Sequence, residues 1–190
     1  MSSTSDEGPA QWLDELPEPD AFSPAEFRAW RGLIRLRETT MREIDRRLRK
    51  HGDLSLADYG VLITLVTAPQ LKLRMSELGA RRMLTPSGIT RVVTRLEDRG
   101  LIRREADPAD GRASLAALTR TGLEALRHAQ VIHHEVVREL YLQRLSARDL
   151  DRLAQLFEKA LPGVISAPAW PPLPDSIRPG AGDGTSSDGS

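Results

Sequence analysis

Apolar side chains recur at helical spacing along most of the middle of the chain, and each run is bracketed by its own start and stop signals. The first run sets Phe27, Trp30, Ile34, Met41, Ile44 and Leu48 on one stripe. Ser23, Pro24 and Glu26 precede it as N-cap, first helical residue and capping-box partner, Phe22 and Phe27 take the two staple positions, and Gly52 follows His51 as a stop. Such a helix is roughly 40 Å long, more than one small core needs, so its surplus stripe calls for a partner.

A second helix opens at the Ser55–Asp58 box, turns Leu56, Tyr59, Leu62, Ile63 and Val66 inward, and ends before Pro69. Two short helices follow, about Met75 to Met83 and Pro86 to Arg99, the second capped by Thr85 and terminated by Gly100. Between Leu101 and Thr119 the period becomes that of extended chain, with Asp110-Gly111 expected as the turn of a hairpin. Thr119 caps a long helix to about Arg144 with Leu123, Leu126, Ile132, Val136 and Leu140 on one side. Ser146 and Asp149 box a last helix carrying Leu150, Leu153, Leu156, Phe157 and Leu161 up to Pro162-Gly163. The expected fold is mostly α with a small β-hairpin wing: a winged helix-turn-helix lobe over 53–119, and long helices over 23–52 and 120–162 forming a dimerisation bundle. The flanks read as an acidic, mostly disordered segment over 1–22 and a disordered Pro-, Gly- and Ser-rich tail over 163–190.

Composition narrows the chemistry. The chain has no cysteine, which excludes disulfides, thiolate metal sites and cysteine redox sensing. No apolar run approaches the ~20 residues that span a bilayer, and the N-terminus lacks a basic region followed by an apolar one, so a cytoplasmic protein is expected. The net charge of zero conceals a strong asymmetry. Every charged side chain before Arg28 is acidic, whereas the stretch from Lys72 to Arg112 is rich in arginine. An anionic partner responds to that local excess rather than to the total.

Two short helices followed at once by a hairpin form the winged helix-turn-helix arrangement. With Ile89, Val93 and Leu96 facing the core, the opposite face of the second helix carries Ser87, Thr90, Arg91, Thr94 and Arg95, groups suited to base edges and phosphates in a major groove. Pro86 and Gly88 with their neighbours supply a helix N-terminus for a phosphate, and Arg112 projects from the wing toward a minor groove. Arg91 and Arg95 also fit a plainer reading, a solvated face paired with Glu97 and Asp98.

These residues give the chain a resemblance to the MarR family of bacterial transcriptional regulators. It is carried by Ser76-Glu77-Leu78, the run from Leu84 to Arg91, the run from Leu96 to Ile102, the wing run from Asp107 to Arg112, and Leu118-Thr119 with Gly122. The resemblance covers Leu54 to Gly122 most strongly and about Ser23–Leu161 in all. It implies a homodimer built from the first and last two helices, a pseudo-palindromic operator, repression, and release by a small phenolic or anionic effector. Phe27, Trp30, Ile34, Val136, Leu140, Leu150, Leu153 and Phe157 are the expected dimer contacts, and Trp30, His51 and Tyr59 the expected lining of an effector pocket. Three positions depart from the family pattern: Ala109 replaces a basic wing residue, Arg74 stands where a cap is usual, and Gly60 replaces the acidic residue of urate-responsive members, which argues against urate.

Trp30 and Tyr59 also fit core or dimer stripes, and His51 fits a helix C-terminus favoured by the dipole. The spacing of His128, His133 and His134 does not place them on one helical face, so no metal and no cofactor is expected. No phosphate loop, nucleophile elbow or metalloprotease spacing is present, and an enzyme is not expected. A winged-helix protein-interaction module and a metal sensor remain the alternatives to a DNA-binding regulator.

Overall fold

The computed structural model describes residues 22–163, apart from the side chains of Gly111 and Arg112. The expected disordered flanks lie outside the described residues, except at their inner ends. The chain divides into two compact units, one up to Thr39 and one from Thr40 onward.

In the first unit, α1 (Pro24–His51) begins at the expected capping box: Ser23 N–H donates to Glu26 Oε2 at 2.8 Å, and Glu26 N–H donates to Ser23 Oγ at 3.3 Å. Hydrogen bonds from the Ser23 side chain and then its backbone N–H hold the Glu26 carboxyl below its ordinary value. Phe22, Phe27, Trp30 and Leu33 all remain about half exposed.

The second unit is built around α2 (Leu56–Val66), which is apolar on nearly every side and correspondingly buried from Asp58 to Ile63. The Ser55–Asp58 box starts it, and Thr67 follows it. Around it pack Ile44 and Leu48 from the end of α1, Leu78 of α3 (Met75–Arg82), Val93 and Leu96 of α4 (Pro86–Asp98), and Leu126, Ile132 and Val136 of α5 (Arg120–Leu140). Val136 has no exposed surface within a single chain, so it belongs to this interior and not to the dimer contact expected of it. α6 (Ala147–Ala160) opens at the Ser146–Asp149 box and buries none of its side chains. Along it Leu150, Leu153 and Phe157 are part-buried, while Leu156 is half exposed.

Two features of the sheet differ from expectation. The wing is three-stranded: β1 (Lys72–Arg74) pairs antiparallel with β3 (Asp110–Leu118), which pairs in turn with β2 (Ile102–Asp107). The hairpin turn is Pro108-Ala109, because Asp107 pairs with Asp110, and Asp110-Gly111 begins β3 instead. The cause is local. Pro108 presets a turn φ, and Asp107 Oδ1 accepts the Ala109 N–H at 2.9 Å, closing an Asx turn before the Asp110-Gly111 pair is reached. α5 also stops at Leu140, short of Arg144, and a single 3-10 turn over Leu142–Arg144 completes the run.

Candidate nucleic-acid interface

α4 is held at both ends by its own sequence. At its start Thr85 Oγ1 accepts the Gly88 N–H at 3.1 Å. At its end Gly100, with φ +68, lets Leu101 N–H reach Leu96 O at 2.9 Å and Gly100 N–H reach Glu97 O at 2.8 Å, the paired bonds of a glycine-terminated helix. Ile89, Val92, Val93 and Leu96 are buried on one side. Pro86, Ser87, Thr90, Arg91, Thr94 and Arg95 are exposed on the other, and Gly88 is part-exposed. The sequence-predicted residues of this helix are therefore brought to one surface.

Their side chains are not equally free. Arg95 donates from Nε to Asp58 Oδ1 at 3.1 Å and again from Nη2, and it also reaches Ser55 Oγ at 3.4 Å. Asp58 is the residue that boxes the start of α2, and its side chain is 3% exposed against 48% for Arg95. A buried carboxylate is costly unless paired, so this guanidinium is held by Asp58 and fastens α4 to α2. Thr94 Oγ1 accepts from Arg104 Nη2 at 2.6 Å, and Arg104, on β2, also binds Glu97 at 3.0 Å. Arg99 is tied to Asp53 at 3.0 Å, and Arg81 to Glu77 at 2.6 Å. Arg91 has neither a hydrogen bond nor an ion pair among the described residues, so it is the uncommitted guanidinium of the exposed face.

The wing is fixed beside its turn by Asp107, whose carboxyl is lowered first by the Ala109 N–H and then by Arg74, 2.6 Å away. That contact explains Arg74 at the start of α3, where no side chain caps the helix: it serves the wing instead. Arg112 belongs to β3, but its side chain lies outside those described. Asp58, Arg104 and Asp107 are structural partners that sequence reasoning missed. Asp58 carried a signal as the third residue of a capping box, but nothing in the spacing linked it to Arg95.

The three residues expected around an effector stand apart in their surroundings. Trp30 is half exposed in the first unit. His51 is exposed at the end of α1, where its carbonyl lies 2.8 Å from His128 Nε2, and it lines a cleft of about 460 Å3 that does not include Tyr59. Tyr59 is buried and stacks on His133 with ring centroids 5.2 Å apart, and burial pushes its hydroxyl up to about 12. His133 meets His134 edge-on at 5.8 Å, and its Nδ1 is buried without a partner. Burial, then the charge of His134, lowers the His133 imidazole below its ordinary value. Among the described residues no group of three His, Asp or Glu is placed to hold a metal ion, and no helix is long and apolar enough to cross a membrane.

Comparison with known proteins agrees with this geometry. The sequence profile of the MarR family matches residues 52–113. Sco3205, a MarR family transcriptional regulator from Streptomyces coelicolor solved in complex with DNA, is similar at 31% identity with a TM-score of 0.65, covering 75% of this chain and 95% of that one. The transcriptional regulator HosA from Escherichia coli O111:H- is 32% identical over 57% of this chain and 78% of its own length. The transcriptional repressor IacR from Pseudomonas putida is 29% identical over 75% of this chain and 82% of its own.

Proposed function

The chain belongs to the MarR family of DNA-binding transcriptional regulators, and from that premise we propose that it binds a pseudo-palindromic operator as a homodimer, represses from it, and is released by a small phenolic or anionic effector. One observation carries the DNA reading: α4 turns Ser87, Thr90 and an unpaired Arg91 outward from a fully apolar inner face, beside a wing anchored through Asp107. The similarity to a regulator solved in complex with DNA supports it, and the similarity to IacR supports repression.

Within that reading the arginines divide their work. Arg91 reads base edges, Arg95 holds α4 in register through Asp58, and Arg112 contacts the backbone or a minor groove from the wing. Pro86, Ser87, Gly88, Thr90 and Thr94 complete the contact surface. The homodimer reading rests on apolar surface that a single chain leaves partly uncovered: Phe27, Trp30 and Ile34 along the start of α1, and Leu150, Leu153 and Phe157 with their exposed neighbours along α6; Leu140, part-buried at the end of α5, completes the expected contact. Of the residues expected to line an effector pocket, Tyr59 has a direct chemical argument, since it stacks on His133, whose buried Nδ1 has no partner among the described residues and would bond a hydroxyl or acid admitted beside it. Release then requires only that the effector prefer the spacing of recognition helices that DNA does not.

Duplex binding at several salt concentrations, with parent, Arg91→Ala and Arg112→Ala proteins, tests the assignment. The parent should lose affinity steeply with salt, because each neutralised phosphate adds about 0.9 to the logarithmic slope. Arg112→Ala should lower that slope by about 1 on all sequences, and Arg91→Ala should instead relax preference at particular bases. A salt-independent affinity, or two variants with the parent's affinity and selectivity, would rule the assignment out.

A further inference from the structure

The exposed face of α4 continues into a cleft of about 290 Å3 between α3 and α4. The two helices touch at its floor, where a Cβ on Gly79 would stand 3.3 Å from Ile89 Cγ2. Ser76, Pro86 and Thr90, all exposed, form its rim, and Leu84 adds a further apolar wall. No charged side chain lines it.

The rim chemistry is more apolar than its residue names suggest. Pro86 has no N–H, and Thr90 donates its hydroxyl to Pro86 O at 2.8 Å. Neither has a donor left to offer a base or a phosphate, and what each presents is carbon. On the base edges of a major groove the one apolar group is the C5-methyl of thymine. We propose that this cleft receives a thymine methyl in each half-site, with Pro86 and Thr90 as specificity-determining residues beside the base-reading Arg91. The inference rests on the reading of α4 as the helix that faces DNA. A phosphate fits less well, since no cation lines the cleft and the Ser76 hydroxyl is the single side-chain donor left among its lining residues, and continuity with the Ser87 and Arg91 surface makes a base edge the natural occupant.

The test uses the full chain and a duplex selected by it from a random pool. Replacing each thymine in turn with deoxyuridine removes the methyl and nothing else. One thymine per half-site should respond, with affinity falling about fourfold on loss of a single buried methyl. Thr90→Ser, which keeps the hydroxyl and deletes the side-chain methyl, should narrow the difference between thymine and deoxyuridine at that position, while Arg91→Ala should weaken binding to both duplexes alike. Indifference to deoxyuridine at every position overturns the proposal, as does full discrimination retained in Thr90→Ser. Equal loss in Thr90→Ser on all sequences would overturn it in favour of a sugar–phosphate contact. A protein that selects an operator yet ignores the methyl removes this inference alone, whereas one that selects no duplex removes the DNA-reading proposal and this with it.

Discussion

Asp58 accepts from the Ser55 N–H at 2.8 Å, from Ser55 Oγ at 2.7 Å and from the Arg95 guanidinium. Removing the guanidinium leaves a buried carboxylate short of a donor, so Arg95→Ala should cost about 1–3 kcal/mol in urea unfolding. Unchanged stability together with altered base preference would make Arg95 a reader rather than an anchor. His133 supplies a pH dependence with a defined sign. Its lowered value means that the unfolded chain takes up a proton near the ordinary 6.5 while the folded chain does not, so stability is full above that pH and declines as pH falls toward the folded value. Thermal melts between pH 7.5 and 5.5 should therefore slope more steeply for the parent than for His133→Phe. Parallel curves would show that His133 protonates freely in the fold. Glu43, held down to about 2 chiefly by Arg46 and then Arg47, acts in the same direction in a more acidic window.

Among the elements, the junction of wing and α5 has the least room for change. A Cβ on Gly122 would stand 1.9 Å from Leu101 O, the carbonyl that also accepts from Thr119 N–H at 3.2 Å and Oγ1 at 3.0 Å. Gly122→Ala should cost about 3 kcal/mol or more and loosen the wing; a near-neutral melt would mean that α5 does not lie against that carbonyl. The starts of the helices were legible because each is written in adjacent residues: Ser55 with Asp58, Thr85 with Pro86, Ser146 with Asp149. β1 was not, since three residues carry no period and their partner lies more than forty positions away in β3. The hairpin turn was misplaced because Asp-Gly is the stronger local turn signal, and only the anchoring of Asp107 by Arg74 and Ala109 favours Pro108-Ala109. In the same way, the outward face of α4 was readable from spacing, but the commitment of Thr94 to Arg104 and of Arg95 to Asp58 required tertiary contacts.

For the whole molecule, a chain of zero net charge suits a DNA-binding role because the stretch from Lys72 to Arg112 carries ten basic residues against six acidic ones, while every charged residue before Arg28 is acidic. Half-exposed aromatic residues on α1 and an α6 without a buried side chain leave apolar area that a second copy would cover. Two copies related by a two-fold axis would set their recognition helices into successive major grooves, and a dimer of this kind requires a site of matching symmetry. Selection of duplexes from a random pool by the full chain examines face and symmetry together. The predicted result is an inverted repeat whose half-sites lie about 10 base pairs apart, centre to centre, with preference lost at particular positions of each half-site in Arg91→Ala. A pool without enrichment, or a single unrepeated half-site bound by a monomer, would contradict it.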